Sequence, residues 1–333
     1  MKKLVVMCSM LLMAGIAVNA HAAVDGRFAG IATGGTSIFT QEIAETIFNN
    51  SGNYTFFQKQ GTECEHSANT KVSKYPAGDV EDRTGATMWL KGSYGKEAVD
   101  FGYKNFDTDY YNVILGIDTD RKYTDSFDAT YGIFAAYTEG KLDKSEKASF
   151  NGGYVGVRGN WYINKLFFGA IADFGLRKTK VEANGDEEDF DSQSIGLALK
   201  AGYNFEVSNK SFTIQPNIMF NSDFDISESF NIDGTKVESD DYFNYSIAPG
   251  VKLAKNLGRC WILSGEAKYV IVSSDGKVEI DDADKYDKYY SNYTLVGLGV
   301  EKIWGYTVVH CKVNKTFQGR DGWILNAGLE FKF

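Results

Sequence analysis

SIGLALKAGYNFEV, residues 194–207, decides the fold. Ile195, Leu197, Leu199, Ala201, Tyr203, Phe205 and Val207 form one apolar face, and Ser194, Gly196, Ala198, Lys200, Gly202, Asn204 and Glu206 the other. Strand side chains point alternately to opposite faces, so this period of two predicts a β-strand with one oily side and one mostly polar side. SFTIQPNIMFN (211–221), FNYSIAPGVKL (243–253) and GYVGVRGNWYI (153–163) repeat the pattern. In the last, Val155, Val157, Trp161 and Ile163 oppose Tyr154, Arg158, Asn160 and Tyr162. A soluble β-sandwich also alternates. Here, however, the polar face is rich in Gly and Ala as well as charge, which suits a narrow lumen.

The connections discriminate between the two. Strands are expected near 86–95, 109–118, 128–139, 150–163, 166–178, 193–207, 211–222, 242–254, 259–272, 291–303, 306–317 and 323–333. Short gaps hold Asn164-Lys165, Ser208-Asn209-Lys210, Lys255-Asn256-Leu257-Gly258 and Trp304-Gly305. They alternate with polar, mostly acidic stretches: EGKLDKSEKA (139–148), KTKVEANGDEEDFD (178–191), SDFDISESFNIDGTKVESDD (222–241) and SDGKVEIDDADKYDKYYS (274–291). DTDRKYTDSFD (118–128) is expected to be the longest turn of the short class. Short periplasmic turns against long outer loops is the layout of an outer-membrane barrel. Trp161, Trp261, Trp304, Tyr306 and Trp323, near strand ends, suit interfacial aromatic girdles. The expected fold class is therefore all-β: a transmembrane, antiparallel up-and-down β-barrel of about twelve strands, preceded by a short helical or linker segment.

Composition agrees. Tyr, Phe and Gly are abundant and Pro is scarce, at 3 residues, which favours sheet over helix bundle. The net charge of −9 argues against nucleic acid or an anionic lipid surface as a partner. MKKLVVMCSMLLMAGIAVNAHA reads as a secretory leader: Lys2 and Lys3, an apolar run, and the small residues Ala20 and Ala22 flanking His21. Cleavage is expected after Ala22, and the destination is the outer membrane of a Gram-negative bacterium. No later stretch is apolar enough to cross a bilayer as a helix, which a barrel does not need. Of the cysteines outside the leader, Cys64, Cys260 and Cys311 are too few for a disulfide-stapled fold. Cys260 is expected to face inward and Cys311 outward, unbonded to each other.

From about Gly85 onward the chain resembles the β-domain of the autotransporters, the barrels that end type V secreted proteins. The stretches that carry the resemblance are ATMWLKGSYG, YYNVILGIDTD, ATYGIFAAYTEG, GGYVGVRGNWYINKLFFGAIADFG, LALKAGYNFEVSNKSFTIQPNIMF and WILNAGLEFKF, in that order. The resemblance implies residues 86–333 as the barrel and 23–85 as a short passenger or linker, with a lumenal helix over 36–50. TSIFTQEIAETIFNN supports that helix, with Phe39, Ile43 and Ile47 on one face. The resemblance also implies a C-terminal signal for the barrel assembly machinery, carried by Asn326, Gly328, Phe331 and Phe333, and periplasmic chaperones as further partners. Asn49-Asn50 resembles the pair at which some members cleave themselves, although its surroundings match poorly.

Candidate chemistry is thin. Glu63-Cys64-Glu65-His66 has ligand types but no second cluster to complete a metal site. His310 shares a face with Lys312 and Asn314, and a hydrolase there would need a serine and an orienting acid beside it. No catalytic residue, metal or cofactor is assigned. Arg158, Asp173, Arg177, Lys200, Glu266, Lys268 and His310 are expected to face the lumen, the charged ones in ion pairs. Three functions fit: a translocator or display barrel, a standalone pore for small solutes, and an outer-membrane enzyme. The acidic outer loops also permit an adhesin that binds an extracellular ligand. N-terminal sequencing of the protein extracted from outer membranes should begin at Ala23; a retained Met1 would contradict the leader.

Overall fold

The computed structural model describes residues 28–29, 31–35, 37–49, 85–101, 105–124, 126–144, 146–207, 211–232, 234–239, 241–280, 284–287 and 291–333. The leader, Asn50, the 63–66 cluster and Cys64 lie outside the described residues. A π-turn at Ile31–Gly35 leads into helix α1, Ser37–Asn49. The strands are β1 Gly85–Asp100, β2 Asn105–Thr124, β3 Phe127–Asp143, β4 Lys147–Ile163, β5 Leu166–Ala183, β6 Asp186–Tyr203, β7 Phe205–Val207, β8 Phe212–Ser227, β9 Phe230–Ile232 and β10 Thr235–Ser239. They continue as β11 Tyr242–Gly258, β12 Trp261–Asp275, β13 Lys277–Ile280, β14 Asp284–Asp287, β15 Tyr293–Trp304, β16 Thr307–Gln318 and β17 Arg320–Lys332.

Twelve staves close into an antiparallel barrel, with β7 continuing β6 past Asn204. The seam is a full ladder between β1 and β17, from Thr87↔Lys332 to Val99↔Arg320. Hydrocarbon offers a backbone no hydrogen-bond partner, so a sheet in lipid must close on itself. The wall then divides by parity. Leu197 is 43% exposed and Ile195 58%, while Ala198 and Lys200 on the other face are buried. Along β17, Trp323 and Leu325 face out and Ile324 and Asn326 face in. Large apolar side chains in water would each forfeit about 1.5–3 kcal/mol, so an outward belt this long requires a hydrocarbon surround. Trp161, Trp261, Trp304 and Trp323 all lie on the outer face; the fifth tryptophan, Trp89, is buried inside.

The strands run longer than the periodicity suggested, and the long outer loops are corrected accordingly. KTKVEANGDEEDFD is a hairpin paired down to Ala183↔Asp186. Its two-residue turn has left-handed φ values at Asn184 (54°) and Gly185 (93°), the Asn-Gly chemistry of a type I′ turn. EGKLDKSEKA is likewise paired down to Asp143↔Lys147. The two longest stretches fold into a separate four-stranded sheet, β14-β13-β10-β9. DTDRKYTDSFD pairs as far as Thr124↔Phe127, so it is a tight turn and not a long one. Cys260 sits in the β11–β12 turn, with φ 64°, and not in a strand as expected. It is disulfide-bonded, its partner lying outside the described residues, and Cys311 is a free thiol on the outer face.

The outer ends of the strands enclose a second core. Val99, Phe106, Leu142, Phe150, Val181 and Phe190 turn inward against Phe230, Val237 and Val278 of the small sheet and Phe28 and Phe39 of the N-terminal segment. Phe190 stacks on Phe230 at 4.6 Å and Phe28 on Phe106 at 5.9 Å. Outside this core the surface is charged: Lys180 pairs with Glu187 at 2.5 Å and Lys178 with Asp189 at 2.8 Å, and these hydrogen bonds raise the pKa of both ammonium groups. Replacing Gly185 with Val should strain the left-handed turn by about 1 kcal/mol or more. The check is a lower midpoint in urea titration of the detergent-solubilised barrel; an unchanged midpoint would contradict the turn assignment.

Candidate functional site: the occupied lumen

The lumen is filled by α1. Every residue from Phe39 to Phe48 is buried, the polar ones included. Gln41, Glu42, Ala44 and Glu45 are sound helix formers. A 13-residue helix is nevertheless marginal alone in water, so its stability comes from the wall. One stripe is apolar: Ile43, Ala44, Ile47 and Phe48 pack with Trp89, Ile114, Phe134, Ile171, Met219 and Ile324. The remaining faces are polar and meet polar wall groups. Thr40 donates to the Tyr154 hydroxyl at 3.4 Å, Thr46 to Asn326 Oδ1 at 3.2 Å, and Ser246 to Gln41 Oε1 at 3.5 Å. These partners come from β4, β17 and β11, so the helix is surrounded and not laid against one side.

Charge completes the seating. Arg320 Nη1 lies 2.9 Å from Glu42 Oε1, and its Nη2 pairs with Glu97. The same guanidinium donates to the Tyr293 hydroxyl at 3.2 Å and to Tyr110 at 3.0 Å, and Thr316 donates to Glu97 at 2.5 Å. Lys268 pairs with Glu45. Lys91 Nζ donates to the Ile47 carbonyl at 3.4 Å and pairs with Glu330 at 3.3 Å. A cation at a helix C-terminus faces the negative end of the helix dipole. Arg158 stacks over Trp89 at 4.4 Å while bonded to Asp118. Carboxylates and cations buried in this way need partners, since removing one leaves an uncompensated charge.

Of the lumen-facing residues expected from sequence, Arg158 pairs with Asp118, Arg177 with Asp225 at 3.1 Å, Glu266 with Lys312, and Lys268 with Glu45. For Asp173 and Lys200 there is no ion pair among the described residues. His310 is buried against Gly328, and its Nε2 has no hydrogen-bond partner among the described residues. No group of three metal-ligating side chains converges among the described residues. Asn326 meets the helix, Gly328 packs under His310, and Phe331 and Phe333 point outward. The hub residues Arg320, Glu97 and Asp225 were not singled out in the sequence. Each lies beyond the strand ends the apolar pattern marked, yet each keeps the inward parity of its strand.

Known structures that share this fold include three autotransporter barrels. The transport unit of the autotransporter AIDA-I from Escherichia coli matches with a TM-score of 0.62 at 20% identity, over 77% of this chain and 92% of that one. The translocator domain of autotransporter NalP from Neisseria meningitidis gives 0.64 at 10% identity, over 91% and 99%. The β-domain of the Bordetella autotransporter BrkA gives 0.61 at 13%, over 74% and 98%. In sequence, the family described as "Autotransporter beta-domain" matches residues 88–305. No curated protein matches the chain. Arg320→Ala should lower stability by about 3–5 kcal/mol, by stranding Glu42 and Glu97 without their cation. Urea unfolding in micelles would check this; a loss below about 1 kcal/mol would contradict the network.

Proposed function

The chain belongs to the autotransporter β-domain family and is an outer-membrane β-barrel of that type, and from this premise we propose that it anchors a short N-terminal segment and presents it at the cell surface. The direction of α1 carries the reading. Phe28 and Phe39 pack among the outer strand ends, and Ile47 packs beside Trp89 and Lys91, near the short-turn end of β1. The chain thus runs through the lumen from the outer end toward the periplasmic rim, where β1 begins. Residues preceding Phe28 would lie outside the cell, and 50–84 would connect the helix to the first strand.

On this reading residues 1–22 are a leader for export to the periplasm, where chaperones deliver the chain to the barrel assembly machinery. The last strand, with Asn326, Gly328, Phe331 and Phe333, would be recognised edge-on by strand addition before it pairs with β1. The acid-rich outer hairpins, with Glu187, Glu188 and Asp189 exposed, would be the surface that meets an extracellular ligand. A standalone pore is not favoured, since the helix occupies the path a solute would take. The family's β-domains are translocators.

In planar bilayers the intact protein should conduct little. Deleting residues 23–49 should raise single-channel conductance severalfold. High conductance in the intact protein, unchanged by the deletion, would favour the pore.

A further inference from the structure

The outer wall is not uniformly convex. Near the periplasmic end of β2–β6 it carries an apolar groove of about 700 Å³. Gly159, Ala170 and Ala172 make its floor, and Ile133, Val157 and Leu197 stand as its walls. Those three walls are all exposed on the hydrocarbon-facing belt. The depression depends on small side chains: a Cβ at Gly159 would lie 2.6 Å from the Trp161 ring.

The periplasmic end of the groove has a different chemistry. Trp161 Nε1 donates to the Tyr131 hydroxyl at 3.2 Å, with the two rings edge to face at 6.0 Å. The Tyr131 hydroxyl lies 3.5 Å from that of Tyr123, which stacks on Phe127 at 4.9 Å. Arg121, exposed, reaches the Tyr123 hydroxyl and acts electrostatically on Tyr131. Among the described residues, its neighbours on the same outward face of β2 and β3 are Thr119, Tyr123, Ala129 and Tyr131, none of them a carboxylate. Asp120 and Asp128 have inward parity, and Asp120 accepts from Thr130 at 2.7 Å. Among the described residues of β2 and β3, this part of the periplasmic rim therefore presents a cation with no carboxylate on its own face.

We propose that this groove is a binding site for one anionic phospholipid of the periplasmic leaflet. An acyl chain fills the groove, the Tyr131–Trp161 pair sits at the level of the glycerol backbone, and the phosphate meets Arg121. Aromatic side chains with a polar tip belong at that depth, and a cation at the surface attracts an anionic headgroup. The occupant is lipid because the groove opens on the apolar belt, and anionic because Arg121, exposed at its mouth, is the charge that the described residues of β2 and β3 place on that face. The inference needs only the barrel and its orientation, and stands whether or not the N-terminal segment is displayed.

Native mass spectrometry tests it. Barrel purified in mild detergent is given phosphatidylglycerol and phosphatidylethanolamine in equal amounts. Wild type should retain one phospholipid, with phosphatidylglycerol preferred. Ala172→Trp, which fills the floor, should lose it while keeping heat-modifiable gel mobility. Arg121→Gln should keep a lipid but lose about fivefold in preference for phosphatidylglycerol. No retained phospholipid in wild type, equal retention by Ala172→Trp, an unchanged preference in Arg121→Gln, or lipopolysaccharide as the retained species would each overturn the site.

Discussion

A backbone amide in hydrocarbon has nothing to bond but another backbone group, and the whole architecture follows from that. The ladder must run unbroken around the wall, so β17 has to return to β1, and it does so over the full seam. Closure then fixes which side of each strand is which. The outer face meets lipid and becomes apolar. The inner face, cut off from lipid, collects what the outer face cannot hold: Lys91, Glu97, Arg158, Arg177, Glu266 and Arg320. An interior so charged cannot be dry and vacant. The helix supplies carboxylates to its cations, hydroxyls to its amides and an apolar stripe to Trp89 and Ile114.

Along β5 one strand shows how the rule changes with depth. From Leu166 to Leu176 the outward side chains are apolar; from Lys178 to Glu182 they are charged. Inward, Asp173 and Arg177 give way to Val181 and Ala183. Side-chain parity never slips. What changes is the solvent outside, from hydrocarbon to water, so polar and apolar exchange faces at about Arg177. The outer ends are thus organised as a water-soluble fold organises itself, with a core of Val99, Phe106, Leu142 and Phe190 capped by the small four-stranded sheet.

That inversion explains what could and could not be read from the sequence. The barrel, its strand number and its order were legible because the membrane portion of each strand carries a clean dyad, as in residues 194–207. The strand extensions were not, because a search for oil outside stops where water begins. KTKVEANGDEEDFD looks like a loop by composition and is a hairpin by pairing. The same blind spot hid the most connected group in the lumen: Arg320 and Glu97 sit past the last large outward-facing apolar residues of β17 and β1, Trp323 and Tyr94, and Asp225 lies past the expected end of its strand at 222. Following parity without regard to hydropathy would have placed all three inward. Which inward charges pair was never legible, since partners such as Arg177 and Asp225 lie on strands that are not neighbours.

The helix and the wall are therefore one folding unit: without the wall a segment this short would not hold its helix, and without the helix Lys268 would lose Glu45 and Arg320 would lose Glu42. Hydrogen exchange on the micelle-bound protein reads this most directly. The amides of Phe39 to Phe48 should be protected as long as those of β1 and β17 at the seam. Rapid exchange of the helix beside a protected seam would show that the lumen is not built around it.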